Sequence, residues 1–300
     1  MKASCRQRWH RAAALAALGL PLFLAGCSLF PTTRKLPMPK APVLTQSVDP
    51  EELVERLNKR WATINTLFAK VEIRASKSES KKGLATDYPS IQGIILMRKP
   101  DNLRVVGQMI GVRIFDMASD GKCFTLSIPH DSKVIKGCGV SKTKSPNAWE
   151  NLRPGFFFDA MLVRGLDPDD LYQVVLDSET VEDATRKHLF TVPEYVLTVS
   201  RRKAGTQQLI PLRVVTFKRD TLLPYQQDLY DADGNLETVV TYGAYQDFEG
   251  GQFPSSVTIK RPMEEITIVL TVEAVKENQA LTDDQFVVLV PDGAKIQNVQ

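Results

Sequence analysis

Between Glu265 and Val275 the chain reads EITIVLTVEAV, with Ile266, Ile268, Leu270, Val272 and Ala274 on one parity and Thr267, Val269, Thr271 and Glu273 on the other. A period of two sends alternate side chains to opposite faces of an extended strand, so one face of this strand is dry. The segment IQGIILMRK has the same character, with Ile91, Gly93, Ile95 and Met97 on one side and Ile94 and Leu96 on the other. It is read as a neighbour of the first strand in one sheet. Such a face is either covered by helices as ordinary core or left partly open around an apolar ligand.

Asp49, Pro50, Glu51 and Glu52 have the make-up of a helix start: a capping residue, Pro at the first position and acids in the first turn. Leu53, Leu57, Trp61 and Ile64 then recur at helical spacing, which predicts a helix to about Asn65. Beyond it, strands separated by turn signals are expected near Leu67 to Ala75, Ser90 to Lys99, Leu103 to Gly107, Val112 to Ala118, Lys122 to Ile128 and Lys133 to Gly139. A second series is expected at Arg186 to Ser200, Pro211 to Arg219, Tyr225 to Tyr230, Leu236 to Tyr245, Ser256 to Arg261 and Glu265 to Val275. PNAWENLRPGFFFDAMLVRG and DPDDLYQ, between the two series, read as short helices. The fold class is therefore α+β: one strongly curved antiparallel sheet or open barrel, covered by short helices. In RPGFFFDAML, the residues Phe156, Phe157, Phe158, Met161 and Leu162 cannot all point one way on a helix. As a lid they divide between a cavity and the sheet.

At the other end of the chain, Lys2, Arg6, Arg8 and Arg11 precede a charge-free run from Ala12 to Cys27. A spanning helix takes about 20 apolar residues, whereas Ala12 to Leu24 is shorter and contains Pro21. This is the pattern of an export signal. Leu24, Ala25, Gly26 and Cys27 resemble the lipobox of bacterial lipoproteins, which implies cleavage after Gly26 and acylation of Cys27. Ser28 in the next position implies outer-membrane rather than inner-membrane retention, facing the periplasm. Three segments are expected: a signal peptide at 1–26, a lipidated Pro-rich tether at 27–48 and one domain at 49–300. The tether holds Pro31, Pro37, Pro39 and Pro42, and its extended form reaches roughly 65 Å at about 3.1 Å per residue.

Removal of residues 1–26 takes four of the 38 Lys and Arg residues and none of the 35 Asp and Glu, which leaves 34 cations against 35 anions. A near-neutral body has no electrostatic case for nucleic acid. Its chemistry is equally bare. His130, Asp131 and Ser132 are consecutive in a turn and cannot form a relay. DADGN at Asp231–Asn235 lacks a calcium loop's ligand pattern and reads as a turn. No zinc spacing, phosphate loop or nucleophile elbow occurs, so neither enzyme, cofactor nor metal is expected.

With Cys5 in the signal and Cys27 acylated, Cys123 and Cys138 remain as a pair in an oxidising compartment. If Pro129–Ser132 is a four-residue hairpin loop, Ile128 faces Lys133, and counting outward along both arms sets Cys123 opposite Cys138. Facing Cα atoms lie about 4.5–5.5 Å apart, within disulfide range.

The phrases IQGIILMRKPDNLRVVGQMIGVRIFDMASDGKCFTL and GGQFPSSVTIKRP, the latter followed by a strand and LTDDQFVVLVPDGAKI, resemble the Lol family of periplasmic lipoprotein carriers and outer-membrane acceptors, LolA and LolB. The resemblance covers about Pro50 to the C-terminus. It implies an unclosed antiparallel barrel whose helices plug an apolar cavity for lipoprotein acyl chains, loaded by a periplasmic carrier. Ile91, Ile95, Met97, Phe156, Phe157, Phe158, Met161, Ile266, Ile268 and Leu270 are the residues expected at that cavity or its lid. The acceptor also carries an exposed apolar residue on a loop between two strands for membrane insertion, and GQMIGVR places Met109 and Ile110 there. The function implied is a non-catalytic outer-membrane lipoprotein that accepts acyl cargo; the alternative is an accessory subunit of an envelope assembly or export complex.

Overall fold

A computed structural model describes residues 46–139, 154–182 and 189–299. The expected signal, Cys27 and most of the tether lie outside the described residues. The chain divides into two compact units, one of Met1–Lys40 with Glu182–Phe190 and one of Ala41–Val181 with Thr191–Gln300. The second holds nearly all the described residues.

Helix α1 (Pro50–Thr63) begins at Asp49, whose backbone oxygen accepts the Leu53 N–H at 3.1 Å while its carboxylate makes no capping bond. It buries Leu53, Val54 and Leu57, and Ile64 just beyond its end is also buried. The strands that follow are β1 (Thr66–Glu79), β2 (Leu84–Asp87), β3 (Ile91–Arg98), β4 (Asn102–Met109), β5 (Val112–Ser119), β6 (Cys123–Ile128) and β7 (Lys133–Cys138). Helix α2 (Gly155–Met161) separates them from β8 (Leu171–Glu182), β9 (Leu189–Arg202), β10 (Leu209–Lys218), β11 (Pro224–Tyr230), β12 (Leu236–Tyr242), β13 (Tyr245–Phe248), β14 (Gly251–Pro254), β15 (Ser256–Arg261), β16 (Ile266–Glu277) and β17 (Lys295–Val299).

All but β13 and β14 join one sheet, in the order β17-β7-β6-β5-β4-β3-β1-β16-β15-β12-β11-β10-β9-β8, with β2 pairing β1. Among the described residues the strand pairs are antiparallel except β17 on β7. This is the expected curved antiparallel sheet with short helices. It is not closed into a barrel, because β17 and β8 remain as its two ends among the described residues. The alternation of β16 holds, with Ile266, Ile268, Leu270 and Val272 all buried in the larger core. Its neighbours are β1 and β15 rather than β3. Strand β1 lies between them and supplies Leu67, Ala69, Val71 and Ile73 to the same core.

The structure corrects the helix expected at DPDDLYQ. Asp167 to Asp170 form a turn, with Asp170 N–H donating to Asp167 O at 3.0 Å, and Leu171 opens strand β8. The physical reason is the run LYQVVL, whose β-branched and aromatic side chains suit a pleated surface. The acids before it serve as turn residues. Of the longer expected helical segment, the described part is helical only over α2.

Residues beyond β16 cross the face of β3 and β4 that points away from the larger core. Arg98 donates to Leu281 O at 3.3 Å and pairs with Asp283 at 2.6 Å, and Arg104 donates to Gln285 O at 3.0 Å. Among the described residues, no helix is long and apolar enough to cross a membrane.

Candidate functional site

Helix α1 lies against the sheet with its Leu53, Leu57, Trp61 and Ile64 stripe turned toward the end of α2 and the turn after β10. Beneath it is a cavity of about 420 Å³, within the roughly 300–1,000 Å³ range of small-molecule sites. Its walls are the α1 stripe, Met161 to Val163, Phe217, Thr221 to Pro224, Tyr242, Tyr245 and Gln252 to Pro254. Apolar and aromatic side chains dominate. Its two charged lining residues, Arg56 and Arg60, are both already paired. Arg56 donates to Glu52 at 2.7 and 3.1 Å, and Arg60 reaches Glu277 at 2.9 Å and the backbone oxygen of Gln252 at 3.2 Å. Tyr245 donates its hydroxyl to Pro224 O at 2.9 Å.

Tyr242 differs from these. It is 9% exposed, and its buried hydroxyl has no hydrogen-bond partner among the described residues. Burial pushes its phenol well above the ordinary range, and the neighbouring Tyr245 and Asp159 push the same way. It stays neutral.

The α2 segment over the sheet is held by polar contacts around a closely packed aromatic group. Phe156 and Phe157 stack with centroids 4.3 Å apart, and Trp61 meets Phe158 edge-on at 6.3 Å. Trp61 also has Lys99 Nζ 4.4 Å and the Arg164 guanidinium 5.7 Å from its ring centroid, both in cation–π range. Arg164 pairs with Asp159 and, at 2.8 Å, with Asp101. Burial raises the Asp159 carboxyl while Arg164 opposes the shift. Gln227 donates to Asp159 O at 2.8 Å and Arg213 to Gly165 O at 2.6 Å, tying the segment to β11 and β10.

No family model matches the sequence, and no curated protein does either. Solved structures do. A DUF1329 family protein from Desulfovibrio piger aligns at 17% identity with a TM-score of 0.50, covering 79% of this chain and 95% of that one. The two share a fold. A LolA superfamily protein from Nitrosomonas europaea aligns at 15% identity with a TM-score of 0.49, over 81% and 99% of the two chains. A putative outer membrane lipoprotein-sorting protein domain from Vibrio parahaemolyticus aligns at 11% and 0.47, over 78% and 94%.

The residues expected at a cavity or lid come together, though mostly as filled core. Ile95, Met97, Ile266, Ile268, Leu270, Phe156, Phe157, Phe158 and Met161 are buried in one cluster, and Ile91 packs half-buried against it. Of these only Met161 lines the cavity. The three phenylalanines do not divide between cavity and sheet; all are buried in that core. The open space lies instead under α1, where the Leu53, Leu57, Trp61 and Ile64 spacing was the sequence signal. Phe217 on β10, Leu222 in the turn after it, Tyr242 on β12 and Phe253 on β14 also line it, and no local pattern marks them.

Met109 and Ile110 are found at the end of the β4–β5 hairpin, where Met109 pairs with Val112 across a two-residue loop. Ile110 is 97% exposed and Met109 half-buried. Both loop residues have positive φ, 48° at Ile110 and 76° at Gly111, the arrangement of a type I′ turn that favours Asn-Gly. A β-branched residue in the left-handed region is a backbone outlier. Local stability therefore does not explain Ile at this position.

Proposed function

We propose that the protein is a non-catalytic lipoprotein anchored to the outer membrane through Cys27, which accepts acyl chains of lipid or lipoprotein cargo and assists their insertion. The observation that carries this reading is the apolar cavity under α1, whose lining has its cations neutralised and offers dispersion and desolvation as the main binding terms. The Lol resemblance in the sequence supports it, including an open-barrel reading of the curved sheet and delivery by a periplasmic carrier. Ile110 supports it independently as a strained, solvent-facing apolar tip, suited to entering a bilayer.

The test is native mass spectrometry of the mature chain after mild extraction. Acyl lipid bound to the wild type and lost on Trp61→Ala is the expected result. A wild type that carries no lipid and binds none when supplied removes the reading. A second reading, an accessory subunit of an envelope assembly or export complex, is favoured by the tight filling of the dry face, where Ile95, Met97 and Leu270 are fully buried side chains. Its expected result is an empty protein extracted in a stoichiometric complex.

A further inference from the structure

We propose that the cavity under α1 selects lipids with an anionic oxygen head group, a phosphodiester or a carboxylate, whose chain lies on the apolar floor while the head sits on the Arg56 guanidinium at the rim. The proposal rests on the lipid-binding reading above and names the class of cargo.

The lining divides by depth. Leu53, Leu57, Phe217, Leu222 and Phe253 are buried, whereas its exposed members are Arg56, Arg60, Thr221 and Gln252, all of them polar. An amphiphile whose chain fills the floor therefore carries its head to these four. Desolvation of the chain supplies most of the affinity, and the rim decides which head is accepted.

The two rim cations are held unequally. Arg60 donates at 2.9 Å to Glu277, whose side chain is only 4% exposed, and at 3.2 Å to the backbone oxygen of Gln252. Withdrawing it would leave a buried carboxylate uncompensated, so Arg60 stays with the protein. Arg56 has a lighter tie. Its Nε and Nη2 both donate to one oxygen of Glu52, four residues back on α1, and the two side chains are 54% and 46% exposed. An exposed pair of this kind shifts an equilibrium by about twofold. A lipid phosphate or carboxylate meets the planar guanidinium through two parallel N–H donors, and the displaced Glu52 returns to water at little cost. An uncharged head gains no comparable bond. The acylated N-terminus of a lipoprotein carries no oxyanion beside its chains, so this rim favours phospholipid or fatty acid as the cargo.

The test uses the full mature chain and three probes of equal chain length: lysophosphatidylglycerol, palmitate and the uncharged monopalmitoylglycerol. Each displaces a polarity-sensitive fluorophore from the cavity. The wild type is expected to bind at least one anionic probe about fivefold more tightly than monopalmitoylglycerol, and the tighter of the two anionic probes identifies the head. Arg56→Gln is expected to bind all three alike, with monopalmitoylglycerol affinity unchanged. Glu52→Gln removes the competing carboxylate and is expected to increase the preference for the anionic probe, which a merely structural ion pair would not do. Lys59→Gln, exposed on α1 but outside the lining, is expected to keep the wild-type preference. Equal binding of the three probes by the wild type overturns the proposal and leaves the lipid cavity standing. So does an anion preference that survives in Arg56→Gln or declines in Glu52→Gln. Binding of none of the three overturns both.

Discussion

Arg104 holds Asp116 through two nitrogens, Nε at 2.9 Å and Nη2 at 2.7 Å, across adjacent strands β4 and β5. The Asp116 side chain is almost wholly buried, and Arg113 reaches the same carboxylate at 2.9 Å. Arg104 also holds the segment after β16 through Gln285 O. Removing one partner of a buried pair costs about 3–5 kcal/mol, because the remaining charge is left uncompensated. Asp116→Ala is expected to lower unfolding free energy by at least ~3 kcal/mol in urea titration and to speed amide exchange around Asp283 to Phe286. A loss below about 1 kcal/mol would contradict this account.

Cys123 and Cys138 are paired across β6 and β7 and joined by a disulfide, with Cα atoms 4.0 Å apart and 15 residues of sequence separation. A loop of that length corresponds to about 3 kcal/mol of denatured-state entropy. Equilibrium unfolding with and without reductant should differ by roughly that amount. Alkylation of the denatured, unreduced protein should leave both thiols unmodified, and two added alkyl groups would argue against the bridge.

Ile110 provides a prediction in which stability and function move apart. An exposed residue in the left-handed region costs on the order of 1–3 kcal/mol when it is not suited to it, and Asn tolerates that conformation. Ile110→Asn is expected to raise the melting temperature while reducing binding of the full chain to phospholipid vesicles. A variant that binds vesicles as the wild type does would remove the insertion role.

Glu194 on β9 is buried, and desolvation raises its carboxyl above the ordinary 4.5; the acids Glu179 and Asp177 add to the shift, while a hydrogen bond from Tyr225 opposes it. Lys218 on β10 is its register partner. The folded protein therefore holds this proton to higher pH than the unfolded chain, and stability falls as pH rises through the interval above 4.5. Glu194→Gln keeps an acceptor for Tyr225. The variant should be more stable than wild type at neutral pH, with the difference shrinking below pH 4.5. A difference independent of pH would rule out this titration.

The elements legible in the sequence are those whose information is local. The period of two in Ile266 to Ala274 produced a real strand with a buried face, and the α1 stripe produced a real helix. The hairpin count from Pro129 set Cys123 opposite Cys138 as paired. DPDDLYQ was misleading because acids before an apolar run suit a helix start and a turn equally well. The cavity was hidden for a different reason. Phe217 and Tyr242 sit on β10 and β12 of the large sheet and Phe253 on the separate β13–β14 hairpin, and only the assembled fold brings the three beneath α1. Filled and hollow stretches of a dry face have the same alternation, so the pattern could not distinguish Leu270 from a ligand-facing residue.

Gln46 is tied to the body just after β10: its N–H donates to Arg219 O at 2.8 Å and its carbonyl accepts from Arg219 Nε at 3.1 Å. Between β10 and β4, which leads to Ile110, the sheet runs through β11, β12, β15, β16, β1 and β3. At about 4.8 Å per step, that path is about 34 Å along the sheet. If Cys27 and Ile110 are to reach one bilayer together, the linker must be long enough to subtend this arc. Extended at about 3.1 Å per residue, a linker of fewer than about eleven residues falls short of it. Under the proposed anchoring at Cys27, linker length is then a ruler: trimming it progressively should keep the protein on the membrane yet hold the hairpin tip off the lipid.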